Sequence, residues 1–252
     1  MGFGYQNLKR LFELSRYNLD WPKYILHHYM PKNGGEPLRF RLRNGQTITL
    51  PADALFILNE IYIDRVYEIS GIDMTCCGSF LDLGANVGAF ALYAASRAPR
   101  ASVYCFEPSS RNFPLLDDNL KRNAVPGQAF RMAVAGHCGT ARLQLDGTSV
   151  GRSLVEGSEP GETVECVDLA RALALTGREK VDFAKIDIEG AEMEMFAACS
   201  DENLRCLGAI SLEWHYSVQK LDELAARLRD IGFDARRHVL EGNIRYLTAR
   251  LA

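Results

Sequence analysis

The chain has 252 residues, of which 47% are hydrophobic and 24% are charged, and its formal net charge is −3 at pH 7. These proportions are those of a globular protein rather than of a disordered or membrane protein. Because the net charge is negative and the basic residues are scattered, we do not expect nucleic acid as a substrate. The seven cysteines include no C-x-x-C pair, so they match neither a disulfide framework nor a zinc site.

Targeting signals are not evident in the sequence. No run reaches the about 18 apolar residues that a membrane span requires, and the first residues lack the basic and apolar regions of a secretion signal. Gly2 follows Met1, but Gln6 stands where a myristoylation motif requires Ser or Thr. We therefore expect a cytoplasmic protein with reduced cysteines and without a membrane span.

Residues 1–75 are predicted to form an N-terminal extension of helices and a hairpin. Apolar residues at helical spacings in residues 8–30, interrupted at Trp21-Pro22, predict two short helices. Alternating apolar and polar residues in 38–50 flank Asn44-Gly45, the dipeptide best suited to a tight turn, and predict a β-hairpin. The extension is interpreted as a lid, an acceptor-recognition element or the surface of a homodimer, and the sequence does not choose among them.

The second region, residues 76–252, alternates short apolar runs with helical patterns, as in a parallel sheet built from βαβ units. Residues 236–240 and 243–248 predict a closing antiparallel hairpin, and the Gly- and Ser-rich residues 147–163 predict a mobile loop near the substrate. This pattern predicts a doubly wound, mostly parallel α/β domain. The predicted strands are 79–83, 101–106, 128–133, 181–186 and 208–213, and the predicted helices are 88–96, 111–122, 191–198 and 217–231.

A glycine-rich turn, Gly84-Ala85-Asn86-Val87-Gly88, lies where a predicted strand is followed by a helix. Its glycines would let the backbone approach a ligand at the helix N-terminus, a feature shared with nicotinamide-binding proteins. Asp82 separates the two cases, because a carboxylate there would repel a pyrophosphate but attract the ammonium and sulfonium groups of S-adenosylmethionine. The third glycine of G-x-G-x-x-G is also missing, which disfavours a dinucleotide.

Glu107 provides a second acid for the same ligand. It ends the next predicted strand, 23 residues after Gly84, the interval at which a strand-end acid accepts both hydroxyls of an adenosine ribose. Taken singly, Asp82 or Glu107 is equally well interpreted as a helix cap or a surface acid. The pair at this spacing predicts S-adenosylmethionine as the cofactor.

Charged residues cluster after the strand predicted at 181–186, at the edge where open α/β sheets bind ligands. Strand alternation places Lys185 and Asp187 on one face. Methyl transfer from a sulfonium requires a close, dry approach and, for a hydroxyl acceptor, a base. Asp187 and Lys185 are candidates for this catalytic role, and His215 after the next strand is a third. For Glu189 and Glu192, capping of the following helix is the competing interpretation.

Metal binding is not predicted from the histidines. The remaining four show no metal-ligand spacing; they are His27, His28, His137 and His238. A divalent metal bound by Asp187 with another acid stays open as an alternative, because hard cations bind carboxylates in such clusters.

With these residues in place, the chain resembles the FkbM family of S-adenosylmethionine-dependent methyltransferases. The resemblance rests on F-L-D-L-G-A-N-V-G-A-F from Phe80, F-E-P from Phe106 and K-I-D-I-E-G-A-E from Lys185, and it covers about residues 78–215. It implies a Rossmann-like class I methyltransferase sheet of seven strands, and methylation of a hydroxyl on a secondary metabolite or a saccharide with S-adenosylhomocysteine as product. It also implies contacts to the cofactor from Asp82, Gly84, Asn86, Gly88 and Glu107, with Asp187 facing the reacting end.

Three other functions are kept as alternatives. N- or carboxyl methylation belongs to the same class of enzyme. A nicotinamide-dependent oxidoreductase would use the same fold but is disfavoured by Asp82 and by the missing third glycine. A non-catalytic binding module is disfavoured by the charged Lys185, Asp187 and Glu189.

Overall fold

The computed structural model describes residues 12–29, 36–144, 154–155, 161–239 and 245–252. Residues 12–17 form helix α1, and α2 spans Trp21–Tyr29. The two short helices predicted before residue 30 are therefore confirmed over the described residues. Among those residues, no helix combines the length and apolar character that crossing a lipid bilayer requires.

The predicted N-terminal hairpin is confirmed. Strand β1, Leu38–Arg41, pairs antiparallel with β2, Thr47–Leu50, and Gly45 in the connecting turn has a φ of 89°. The fully buried Asn119 side chain accepts a hydrogen bond from the Thr49 N–H and donates to the Thr49 and Val87 carbonyls, each at 2.8 Å. This amide joins the hairpin to the turn that contains the predicted glycines.

A helical segment that the sequence analysis did not predict follows the hairpin. Helix α3, Phe56–Asn59, continues into a π-helical turn over Glu60–Asp64, which ends at Arg65 with a φ of 51°. A short 3₁₀ turn precedes it at Ala52–Ala54, and another lies at Met74–Cys76. Single π-helical turns are often found at functional sites, and this one lines the cleft described below.

The central sheet has seven strands in the order β12-β13-β11-β10-β3-β4-β5. Strand β13 runs antiparallel to both of its neighbours, whereas the pairs β11-β10, β10-β3, β3-β4 and β4-β5 are parallel. The predicted mostly parallel sheet and its closing hairpin are thus confirmed. The strands are β3 Ser79–Leu83, β4 Ser102–Phe106, β5 Gly127–Phe130, β10 Phe183–Ile186, β11 Ala209–Trp214, β12 Phe233–Val239 and β13 Arg245–Leu251.

Helices pack on both faces of this sheet. Because alternate side chains of a strand point to opposite faces, Phe80 joins one apolar core and Leu81 the other. The first core contains α4, α5 and the N-terminal hairpin, and the second contains α6, α7 and α9, so the predicted doubly wound arrangement is confirmed. The helices are α4 Ala89–Arg97, α5 Phe113–Arg122, α6 Leu169–Thr176, α7 Glu192–Ala198, α8 Asp201–Leu204 and α9 Val218–Asp230.

A second, four-stranded sheet corrects the loop predicted at 147–163. Residues 154–155 and 161–163 are in strands, because they pair antiparallel with Gly139–Gln144, and the rest of the predicted loop lies outside the described residues. The strands are β6 Ala133–Val134, β7 Gly139–Gln144, β8 Leu154–Val155 and β9 Gly161–Val167, in the order β6-β9-β7-β8. Leu143 and Val164 of this sheet are buried in a third, smaller apolar core.

Candidate active site

A cleft opens at the carboxyl ends of β3, β4, β10 and β11. It encloses about 1060 Å³, counting its mouth open to solvent. The π-helical segment and the small sheet contribute walls on either side of it. The lining residues are Phe56, Ile57, Glu60, Ile61, Tyr67, Gly84, Ala85, Asn86, Ala89, Phe90, Phe106, Glu107, Pro108, Met132, Ala133, Val134, Leu143, Leu154, Lys185, Asp187, Ile188, Glu189 and Glu213.

The first three residues of the glycine-rich turn, Gly84 to Asn86, line the cleft. Gly84 has a φ of 75°, and a Cβ placed on it would lie 1.7 Å from the Asp187 carbonyl oxygen. Only a glycine fits this crossing of the two chain segments. Asn86 also lines the cleft with a φ of 50°, whereas Gly88 begins α4 behind it, where a Cβ would lie 2.8 Å from the Leu116 side chain.

Glu107 lies in the cleft at the end of β4 with only 6% of its surface exposed. Its Oε2 accepts the Asn86 N–H at 2.9 Å, and its Oε1 accepts the Ser109 N–H at 3.0 Å. Burial raises the pKa of this carboxyl to about 7, although the two N–H groups favour the ionised form. A carboxylate oxygen can accept two hydrogen bonds, so each oxygen retains the capacity to accept one hydroxyl of a diol.

Asp82 lies behind the cleft wall rather than in the lining. It is fully buried, and its Oδ1 is 3.3 Å from the Lys185 Nζ. Lys185 itself lines the cleft, donates to the Gly84 carbonyl at 2.6 Å and lies 3.5 Å from the Asp187 Oδ2. Burial disfavours the ammonium, but Asp82 and Asp187 outweigh it and raise the pKa of Lys185. Lys185 is therefore a cation that binds the glycine-rich turn at the Gly84 carbonyl. Asp82 influences the cleft through its ion pair with Lys185.

Tyr67 joins the carboxylates of two neighbouring strand ends. Its hydroxyl lies 2.9 Å from the Asp187 Oδ2 and 3.0 Å from the Glu213 Oε2, and Tyr246 donates to the same Glu213 oxygen at 3.0 Å. The ring of Tyr67 also lies under the Lys185 ammonium at 5.3 Å. A residue of the N-terminal region thus positions Asp187 from across the cleft.

His215 stands beside this group with both ring nitrogens close to acids. Its Nδ1 is 2.9 Å from the Oε1 of the fully buried Glu192, and its Nε2 is 3.3 Å from the Glu189 Oε2 and 4.0 Å from the Asp187 Oδ1. Burial alone would lower the pKa of the imidazole, but Glu192, Asp187 and Glu189 raise it to about 9. Burial, followed by Asp187, raises the pKa of Glu189 to about 7.

The family model of the FkbM methyltransferase domain matches residues 82–235, which include all of the residues just described except those of the N-terminal region and Tyr246. The chain belongs to the FkbM methyltransferase family. A Streptomyces tacrolimicus relative, 31-O-demethyl-FK506 methyltransferase FkbM, is 28% identical over 227 residues, which cover 77% of this chain and 87% of that protein. Methyltransferase sdnD from Sordaria araneosa is 27% identical over 220 residues, which cover 73% of this chain and 84% of that protein.

A solved structure supports the same fold for this FkbM-family enzyme. The delta-N METTL16 methyltransferase domain matches it with a TM-score of 0.51 at 14% identity, covering 83% of this chain and 90% of that chain. At this identity the likeness concerns the fold alone. The fold is that of a class I methyltransferase, and the cofactor that it implies is S-adenosylmethionine.

The structure brings the sequence-predicted residues of this methyltransferase into one region. Lys185, Asp187 and His215 lie together, and Glu107 lies elsewhere along the same cleft. Their roles, and the contacts to the cofactor expected from the glycine turn and Asp82, stay predictions. The sequence analysis did not name Glu60, Tyr67 or Glu213 as candidates. No pattern in the extension indicated which of its side chains reach the cleft.

Acidic residues outnumber basic residues in the lining of the cleft. Among the described residues that line it, Lys185 is the only Lys or Arg, whereas five are acids: Glu60, Glu107, Asp187, Glu189 and Glu213. Burial and the neighbouring Glu213 and Asp187 raise the pKa of Glu60 to about 7. A cleft of this charge attracts cationic ligands and disfavours anionic ones.

Proposed function

We propose that this FkbM-family methyltransferase is an O-methyltransferase that uses S-adenosylmethionine to methylate a hydroxyl group of a secondary metabolite or a saccharide. One observation carries the proposal. A single cleft joins a carboxylate suited to a ribose diol, Glu107, to a group of proton acceptors around Asp187.

The residues around Glu107 fit the cofactor. The carboxylate retains one hydrogen-bonding position on each oxygen, and the apolar side chains of Phe106, Met132 and Val134 line the adjoining wall. Among the described lining residues, Lys185 is the Lys or Arg available to the carboxylate of the cofactor, and Asp82 keeps it charged. When bound, S-adenosylmethionine supplies the methyl group.

Asp187 is the proposed base for the acceptor hydroxyl. Tyr67 and Lys185 hold its Oδ2, whereas its Oδ1 is buried and has no hydrogen-bond partner among the described residues. A carboxylate fixed through one oxygen presents the other for a proton. His215, 4.0 Å from this Oδ1, is the second candidate for receiving that proton.

The acceptor is expected to carry no negative charge. Five lining carboxylates oppose one lysine, so an acceptor that is a phosphate ester or a carboxylate would be repelled. This disfavours carboxyl methylation and supports an alcohol. The same acids favour an amine acceptor, which makes N-methylation the second candidate. The name of the Streptomyces relative specifies an O-demethylated acceptor, and this supports methylation of oxygen.

The test is a methyl-transfer assay with matched acceptors. The purified chain and S-adenosylmethionine are incubated with secondary-metabolite alcohols, saccharides and the corresponding amines, and products are located by mass spectrometry and NMR. We expect an O-methyl product and, for Asp187→Asn, a rate lower by roughly 100- to 10,000-fold with unchanged affinity for S-adenosylhomocysteine.

Asp222→Asn is the matched control, because Asp222 has an exposed side chain on α9. It should turn over like the wild type. Methylation of the amines alone would replace the O-methyltransferase proposal by the N-methyltransferase one. An Asp187→Asn variant as fast as the wild type would remove Asp187 from the chemistry.

A further inference from the structure

Three side chains at the end of β10 and β11 converge on one point. One oxygen each of Asp187 and Glu189 and one ring nitrogen of His215 all lie within 4.8 Å of one another. Ligand atoms bound at about 2.1 Å to one ion lie up to about 4.2 Å apart. Side-chain adjustments of under an ångström would therefore bring these three atoms to coordination distance of a common ion.

The imidazole is oriented as a metal ligand would be. Glu192, fully buried, holds the His215 Nδ1 at 2.9 Å and also accepts the backbone N–H groups of Ile188 and Gly190. The opposite nitrogen, Nε2, is thereby directed at Glu189 and Asp187. A carboxylate on the far nitrogen is the usual outer partner of a metal-bound histidine.

The remaining surroundings favour a cation at this point. The Asp187 Oδ1 on the side of His215 is buried without a hydrogen-bond partner among the described residues. Glu213 adds a further carboxylate, with its Oε1 3.9 Å from the His215 Nε2. The lining acids outnumber the single lysine, so a dication would offset the repulsion between them.

We propose that Asp187, Glu189 and His215 bind one divalent transition-metal ion in the cleft. Carboxylates suit Mn²⁺, and an imidazole suits the first-row metals from iron to zinc, whereas Mg²⁺ prefers oxygen ligands alone. The expected preference is therefore for Mn²⁺ or a later first-row ion over Mg²⁺. In a role that rests on the proposed function, the ion would bind the acceptor hydroxyl and lower its pKa. Asp187 would then act as a ligand, and the proton would pass to the neighbouring Glu213, whose Oε1 lies 3.9 Å from the His215 Nε2.

The test is Mn²⁺ binding to chelator-treated protein, measured without cofactor or acceptor. Free Mn²⁺ is followed by electron paramagnetic resonance during a titration, and Mg²⁺ is added as competitor. We expect one Mn²⁺ per chain, and an affinity reduced at least tenfold in Glu189→Gln and in His215→Gln. Glu192→Gln, which changes the outer partner of His215 and leaves all three ligands in place, should weaken binding by roughly 10- to 100-fold.

Two variants control for folding and charge. Glu194→Gln on the exposed side of α7 and His238→Gln on β12 remove an acid and a histidine away from the site, and both should bind Mn²⁺ like the wild type. Unchanged affinity for S-adenosylhomocysteine in the Glu189 and His215 variants shows that they are folded.

Two results would overturn the proposal: no saturable Mn²⁺ binding by the wild type at millimolar concentration, or wild-type binding by both Glu189→Gln and His215→Gln. Neither concerns methyl transfer, which the methyl-transfer assay measures separately. Full turnover after chelation would overturn the role assigned to the ion in the reaction and leave the O-methyltransferase proposal standing.

Discussion

The carboxyl group of Glu107 links cofactor affinity to pH. Burial raises its pKa to about 7 in the free protein, and both of its oxygens already accept one backbone N–H. A ribose diol would donate to the remaining positions, and it does so most strongly when the carboxyl is ionised. Affinity for S-adenosylhomocysteine should therefore fall as the pH drops below 7.

The magnitude follows from the ionised fraction. At pH 6 about one-tenth of Glu107 is ionised, so the affinity should be about tenfold lower than at pH 8, a difference of about 1.4 kcal/mol. Replacement by glutamine removes the titration and weakens two hydrogen bonds to hydroxyls. With each charged hydrogen bond contributing about 1.5–3 kcal/mol, Glu107→Gln should lose roughly 100-fold or more at pH 8.

Calorimetric titration of S-adenosylhomocysteine at pH 6, 7 and 8 measures both effects. Other acids in the cleft, Glu60 and Glu189, have their pKa values raised to about 7 as well, so the variant decides the assignment. In Glu107→Gln the affinity should be weak and independent of pH. The reasoning is refuted if wild-type affinity is unchanged between pH 6 and 8, or if the tenfold decrease persists in Glu107→Gln.

The buried glycine and the buried ion pair lead to two further predictions. Gly84→Ala should cost about 2–5 kcal/mol, because the left-handed penalty is joined by that of overpacking where its Cβ would meet the Asp187 carbonyl at 1.7 Å. At about 2–4 °C per kcal/mol for a chain of this size, the melting temperature should fall by roughly 4–20 °C, and binding of S-adenosylhomocysteine should be abolished. Gly177→Ala, at a similar φ with nothing within 4 Å, is the matched control and should cost about 1–2 kcal/mol; an equal loss in both variants would contradict the steric argument. Lys185→Met should lower the free energy of urea unfolding by about 3–5 kcal/mol. It leaves the buried Asp82 without its cationic partner, so that the carboxyl either stays charged without compensation or takes up a proton, which burial favours. The double variant with Asp82→Asn should regain much of that loss, and a double variant no more stable than Lys185→Met would show that the ion pair is not the cause.

Local sequence patterns were sufficient for most of the fold. Asn44-Gly45 predicted the hairpin, and Gly45 takes the left-handed conformation, with a φ of 89°, that closes a three-residue connection between the strands. The strand at 79–83 was predicted at its observed bounds, because a buried parallel strand is a continuous apolar run between turn residues. The small sheet was missed, since its pairing of β7 with β8 and β9 spans a Gly- and Ser-rich segment without clear periodicity.

The candidate site was also predicted only in part from the sequence. The residues at strand ends, Glu107, Lys185 and Asp187, could be selected from the sequence, because the carboxyl ends of parallel strands meet at one edge of the sheet. The sequence also led to Asp82, but only the structure shows that it lies behind the wall and acts through Lys185.

What the sequence by itself determined is the class of domain and the family, because turn chemistry, periodicity and motif spacing act over a few residues at a time. The tertiary structure decided which side chains surround Asp187. Tyr67 reaches it from 120 residues away in the chain, and Glu192 at the start of α7 contacts His215, 23 residues later and just after β11. Such contacts depend on how separate segments pack against each other. The local sequence of one segment does not identify the residue that it will contact in the other.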